Sequence, residues 1–225
     1  MCDKILDSLD GRVHGNCAGR LIRIEGAVCM HCGRPVVSEQ VEYCFDCARK
    51  KRDYSADTFL QGKALLLYQG AVKQTMYRFK YSNKREYGAF FADLAMEQWG
   101  EWLLSCRVDA IVPVPMFRRK QRSRGYNQAE VFGRALSKRL GVPLVCDAVI
   151  RCRDTKPMKE LNDVERKNNL RNAFQIRKNI VEYKQILLVD DIYTTGSTAD
   201  EVSRILRENG VEKIYFLSVC MGQGL

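Results

Sequence analysis

The sequence has only two histidines in 225 residues, His14 and His31. Chemistry that needs a histidine base has almost nothing to draw on, and no other general base stands out. There is no run of about 18 apolar residues, which argues against a membrane-spanning helix. Residues 1–10 carry early acids and no apolar stretch of signal-peptide length, so the expectation is a cytosolic protein. No internal repeat or low-complexity tract is present. The hydrophobic fraction of 46% and charged fraction of 28% then leave an ordinary globular chain, long enough for one medium domain and a small module.

Positive charge and cysteine are abundant. A net charge of +10, clustered along the chain, favours a polyanionic partner such as nucleic acid or a nucleotide phosphate. Ten cysteines in a chain expected to be cytosolic point to thiolate–metal ligation rather than disulfides. Cys29-x-x-Cys32 and Cys44-x-x-Cys47 are two such pairs. Each makes a tight knuckle, with Gly33 easing the first turn, and two knuckles supply the four sulfurs of a closed, structural Zn²⁺ site. His31 is an alternative ligand, but beside four thiolates it reads as a bystander. Arg49, Lys50, Lys51 and Arg52 follow directly. They either contact nucleic-acid phosphate or belong to a solvated linker running through Asp57, and both readings stay open. Residues 1–57 are thus expected to form a zinc ribbon and linker, and 58–225 the main domain.

In that main domain, apolar runs predict strands at 64–68, 109–114, 143–149, 185–189 and 213–220. Three- and four-residue periodicity predicts helices at 71–79, 86–104, 127–140 and 198–209. Phe91, Leu94, Ala95, Gln98 and Trp102 share one face of the second helix, and Gly141 suits a left-handed helix end. The alternation implies an α/β fold with a mainly parallel sheet flanked by helices.

Residues 186–198 give the sharpest signal. A buried strand delivers Asp190 and Asp191 to the carboxyl edge of the sheet, where ligands of open α/β sheets bind. Thr194, Thr195, Gly196, Ser197 and Thr198 then open a helix whose free N–H groups and dipole favour a phosphate. Adjacent strand residues face opposite ways, so the two acids converge on one sugar only if the strand turns at Asp191. Val189-Asp190-Asp191-x-x-Thr194-Thr195-Gly196-x-Thr198 resembles the phosphoribosyl pyrophosphate (PRPP) motif of type I phosphoribosyltransferases. That resemblance implies that Asp190 and Asp191 hold the ribose hydroxyls and that residues 194–198 cradle the 5′-phosphate. It also implies PRPP bound with Mg²⁺.

Five of the seven residues at 118–124 are basic. Read as a loop after the strand ending near Pro115, this segment is placed to close over a pyrophosphate, with Arg119 and Lys120 as binding candidates and Arg124 as the catalytic one. Val112-Pro-Val-Pro115, Arg124-Gly-Tyr-Asn-Gln128, Phe79-Lys80-Tyr81, Arg166-Lys-Asn-Asn169-Leu170 and the paired cysteines together resemble the ComF family of competence-associated proteins. One departure is Met158, where the family pattern usually has glutamine. The resemblance implies a zinc ribbon joined to a phosphoribosyltransferase-like, Rossmann-like fold, with Lys80 as a phosphate contact. It further implies a role in natural transformation, transfer of phosphoribosyl to a nitrogen acceptor, and competence-machinery partners. A non-catalytic single-stranded-DNA-binding factor is the other reading. It is drawn from the charge and from Tyr54, Tyr77, Phe79, Tyr81, Phe117 and Tyr126 near the basic segments.

Overall fold

Ile186, Leu187, Leu188 and Val189 are all fully buried, as a strand covered on both faces requires. The computed structural model describes residues 13–52, 59–153, 173–178 and 180–222. In chain order the elements begin with α1 (Gly15–Ala18), α2 (Phe45–Arg52), β1 (Gln61–Leu67), α3 (Gly70–Tyr81) and α4 (Tyr87–Ser105). They continue with β2 (Ala110–Pro113), α5 (Arg118–Arg124), α6 (Gln128–Leu140), β3 (Val149–Arg151) and β4 (Phe174–Ile176). The last three are β5 (Gln185–Tyr193), α7 (Ser197–Glu208) and β6 (Lys213–Met221).

Four strands form a parallel sheet in the order β1-β6-β5-β2. Side chains alternate between its faces. Leu187, Val189 and Leu217 pack with Met76, Phe79, Phe91 and Leu136 from α3, α4 and α6. Ile186, Leu188, Ile214 and Phe216 pack on the other face with Val202 and Leu206 of α7, and with the four cysteines. The cysteine segment therefore shares a core with the sheet. β3 and β4 form a separate antiparallel pair beside that second face. Among the described residues no helix is long and apolar enough to cross a membrane.

The parallel α/β architecture agrees with the sequence, and Gly141 ends α6 at φ 70°. Four details differ. The basic segment is a helix, α5, set off by extended Phe117 and closed by left-handed Gly125; its side chains are all polar, so no apolar period announced it. Residues 143–149 are not one strand. Leu144 makes a single parallel bridge to Ile111, whereas Val149 begins β3. Residues 49–52 extend α2 rather than starting a linker. Finally, β5 runs on past Val189 through both acids to Tyr193.

Candidate phosphate site and cysteine cluster

β5 stays paired with β6 on both sides of Asp191, with Asp190 against Ser218 and Ile192 against Cys220. The ladder skips Asp191, however, and the alternation of faces slips there: Val189 and Ile192 pack on one face, Leu188 and Tyr193 on the other. The two acids meet different neighbours. Asp191 faces α3, where Lys80 Nζ lies 2.9 Å from its Oδ2, and both side chains are mostly buried. Burial opposes the Lys80 charge, but Asp191 more than offsets it and raises the lysine above its ordinary pKa. Asp190 faces the α7 side and lines a pocket with Thr194, Thr195, Gly196, Ser197 and Thr198. Its Oδ1 accepts from the Asp191 amide at 2.8 Å. Burial, followed by the neighbouring Asp191 charge, pushes Asp190 up to about 8.

The pocket is small, about 30 Å³. The N-cap of α7 is Gly196, which has no side chain to offer its first N–H groups. The positive end of a three-turn helix thus points at a hydroxyl-lined hollow, which is what an anion site requires. Thr195 Oγ1 and Ser197 Oγ share a 3.0 Å hydrogen bond across it. Gly196 sits at φ 82°, and a Cβ there would lie 2.3 Å from the Tyr193 hydroxyl. Gly196→Ala is expected to destabilise the protein by about 2–3 kcal/mol, and Tyr193→Phe to return part of that loss by removing the nearest atom. Urea unfolding of the single and double variants checks this, and unchanged stability in Gly196→Ala contradicts it.

Lys80 is held in place by the motif that follows α5. The hydroxyl of Tyr126 and, at 3.4 Å, the amide of Gln128 both donate to the carbonyl of Phe79, one residue before Lys80. Asn127 caps α6 by accepting from Ala129, and donates to Val114 at the end of β2. Arg124 stacks on Tyr81, its guanidinium 5.0 Å from the ring centroid. It lies close enough to Lys80 to repel that ammonium. Arg119 and Lys120 line neither the phosphate pocket nor the larger cavity beside it. Arg49 is exposed on α2. The segments holding Met158, Tyr54 and residues 166–170 lie outside the described residues.

All four paired cysteines are buried, and their sulfurs lie within 4.8 Å of one another. Cys32 and Cys44 are 3.7 Å apart, close to the ~3.8 Å edge of a tetrahedron with metal–sulfur bonds of about 2.3 Å. Hydrogen bonds from the other sulfurs, led by Cys32, drive Cys29 far down in pKa. The same kind of contact, led by Cys29, drives Cys47 far up. Four thiols this close cannot all ionise alone, whereas a dication lets them do so, so the donor set fits Zn²⁺. His31 is not among the ligating groups; it stacks on Phe59 at 4.4 Å.

Three features went unseen in the sequence. Arg34, directly after the first knuckle, donates to the Thr194 carbonyl at 2.6 Å and pairs with Asp46 at 2.6 Å. Arg151 of β3 comes near enough to Asp190 to favour its charged form. A cavity of about 500 Å³ opens between the start of α5 and the β3–β4 pair, lined by Arg118, Gln121, Asn127, Glu130, Arg151 and Arg177 among others. Each depends on contacts between distant segments, which no local pattern encodes.

Residues 127–223 match the family described as phosphoribosyl transferase domain. That span holds the acids and the phosphate loop but neither Lys80 nor the four paired cysteines. The chain is 31% identical over 216 residues to competence protein F of Haemophilus influenzae, covering 89% of this chain and 88% of that protein. The chain belongs to the competence protein F (ComF) family. Two other relatives agree with membership in ComF. Competence protein ComFC of Bacillus subtilis is 29% identical, covering 89% of this chain and 80% of that protein. The DNA utilization protein YhgH of Salmonella typhimurium is also 29% identical, with 89% and 87% covered. The ComF match extends well beyond the transferase domain.

Proposed function

We propose that this protein binds PRPP at the 190–198 pocket, transfers phosphoribosyl to a nitrogen acceptor, and acts in DNA uptake. The observation that carries the binding is the α7 N-terminus, with glycine at its N-cap, facing a hydroxyl-lined pocket with Asp190 on the same side. The named roles of the relatives, competence and DNA utilization, support the biological setting. In this reading the α7 N-terminus and residues 194–198 hold the 5′-phosphate, and Asp190 accepts from a ribose hydroxyl. Asp191 is the second ribose ligand of this reading, and its pair with Lys80 keeps that lysine charged at the edge where pyrophosphate leaves. Arg124, supported on Tyr81, adds positive charge from α5.

The C1–oxygen bond to pyrophosphate breaks as a C1–nitrogen bond forms, and the acceptor nitrogen gives up its proton. Bound Mg²⁺ would neutralise pyrophosphate and ribose oxygens during this step. The protein supplies orientation and fixed charge. The cavity of about 500 Å³ is of a size that accepts a small-molecule acceptor. Cys29, Cys32, Cys44 and Cys47 would hold Zn²⁺, which would supply folding energy.

A second reading, a non-catalytic single-stranded-DNA binder, is favoured by one observation. Tyr77 and Tyr81 are 64% and 57% exposed and lie 5.0 Å apart, with Arg124 over Tyr81, a platform for stacked bases. Phe79 and Tyr126 are buried and cannot stack. Pyrophosphate release from PRPP over a panel of nitrogen acceptors, alongside DNA affinity at two salt concentrations, separates the readings. Turnover lost in Asp190→Asn supports the transferase. DNA affinity lost in Tyr81→Ala, kept in Asp190→Asn and unaccompanied by turnover, supports the binder.

A further inference from the structure

We propose that Arg34 is a positioning residue through which the cysteine module sets the phosphate loop. The proposal rests on the PRPP reading of the pocket and extends it to a side chain 160 residues away in sequence. The first knuckle fixes the Arg34 backbone: its carbonyl accepts from Cys29 at 2.7 Å, and the Gly33 amide bonds back to the Cys29 carbonyl at 2.9 Å. The second knuckle fixes its side chain, because Asp46, lying between Cys44 and Cys47, holds one guanidinium nitrogen at 2.6 Å. The other nitrogen donates to the Thr194 carbonyl. Arg34 is itself only 9% exposed, so water competes little for these bonds. The knuckle also sits directly on the sheet. His31 accepts from the Gly62 amide at 2.6 Å, and a Cβ on Gly33 would lie 2.6 Å from the Gly62 carbonyl.

The geometric consequence follows from the planar trans peptide, in which a carbonyl and the next N–H point in opposite directions. Arg34 draws the Thr194 carbonyl toward the cysteine module and so turns the Thr195 N–H the other way, to the side where the pocket takes phosphate. Holding the peptide in this orientation before binding lowers the ordering cost of capture. Neither lysine nor glutamine reproduces the arrangement. Lysine has no fork with which to grip Asp46 and a carbonyl together, and glutamine has no charge.

The test is calorimetric titration of zinc-loaded wild type, Arg34→Gln, Arg34→Lys and Asp46→Asn with Mg²⁺ and PRPP, together with hydrogen exchange of the ligand-free proteins. Charge-assisted bonds to buried groups are large enough for Arg34→Gln to weaken binding roughly 10- to 100-fold while zinc content stays at wild type. Amides 195–198 are expected to exchange faster. Arg34→Lys should recover part of both effects. Asp46→Asn, which leaves the cysteines and Thr194 untouched, should move both readouts the same way by less, and should add nothing to Arg34→Gln. Should Arg34→Gln fail to fold, unchanged binding and exchange in Asp46→Asn overturn the proposal. Wild-type affinity and unchanged exchange in a zinc-loaded Arg34→Gln overturn it directly. If the wild type itself does not bind PRPP, the reading of the pocket fails, and unchanged exchange at 195–198 still overturns the role of Arg34.

Discussion

Asp190→Asn is expected to raise the melting temperature of the ligand-free protein at pH 8 by about 5 °C while removing its affinity for PRPP. Burial and the Asp191 charge place the Asp190 carboxyl at about 8, against about 4 in an unfolded chain. A folded-state pKa raised in this way gives stability that is fully present below pH 4 and lost as pH rises through 8. Asparagine mimics the neutral acid in shape and cannot ionise, so it removes that loss. Linkage alone sets an upper bound of about 5 kcal/mol at pH 8. Relaxation and solvent around the carboxylate reduce this to roughly 2 kcal/mol, and at about 2–4 °C per kcal/mol in a protein of this size the shift is readily measured. Melts of both proteins at pH 5, 6.5 and 8 check the sign. The difference should be small at pH 5 and grow with pH. A variant that is less stable at pH 8, or a gap that ignores pH, contradicts the assignment. A site residue whose removal stabilises the fold marks strain kept for binding.

The second large effect concerns the cysteine cluster. Cys47→Ser, or stripping with a strong chelator, is expected to abolish Zn²⁺ binding and to lower stability by at least about 4 kcal/mol, given the size of structural zinc affinities. The loss should reach beyond the knuckles, because all four cysteines belong to the hydrophobic core that holds Phe59, Phe216 and the α7 residues Val202 and Leu206. Tyr193, under the phosphate loop, packs on both Phe59 and Phe216. Metal content and thermal unfolding together give the readout. Stoichiometric zinc in the wild type and one early transition in the variant are expected. A metal-free protein with the wild-type melting temperature would show that the cluster is dispensable.

The parts of this molecule that follow from local pattern were legible in the sequence. The buried strand at 186–189, the acids at its end, the glycine at the turn and the amphipathic α7 each use neighbouring residues only. So do the two cysteine pairs, whose spacing alone fixes the knuckles. Other features depend on which surfaces meet. α5 has no apolar stripe, and only its flanks, Phe117 and Gly125, mark its ends. The different neighbours of Asp190 and Asp191 depend on how β5 pairs with β6 around them, which the motif alone does not give. Arg124-Gly-Tyr-Asn-Gln128 looked like part of a pyrophosphate loop. In the fold, Tyr126 and Gln128 anchor the turn that carries Lys80, so much of that motif's effect on the site is indirect. Arg34 had no signal at all, since its acceptor is a backbone carbonyl in the last third of the chain.

The most direct test of the central claim is calorimetric titration of the zinc-loaded protein with PRPP and Mg²⁺, beside the Asp190→Asn/Asp191→Asn double variant. Saturable one-to-one binding in the wild type, lost in a folded double variant, is the expected result. A folded wild type that gives no heat and no competition with PRPP would contradict the claim that the 190–198 pocket is a phosphoribosyl site.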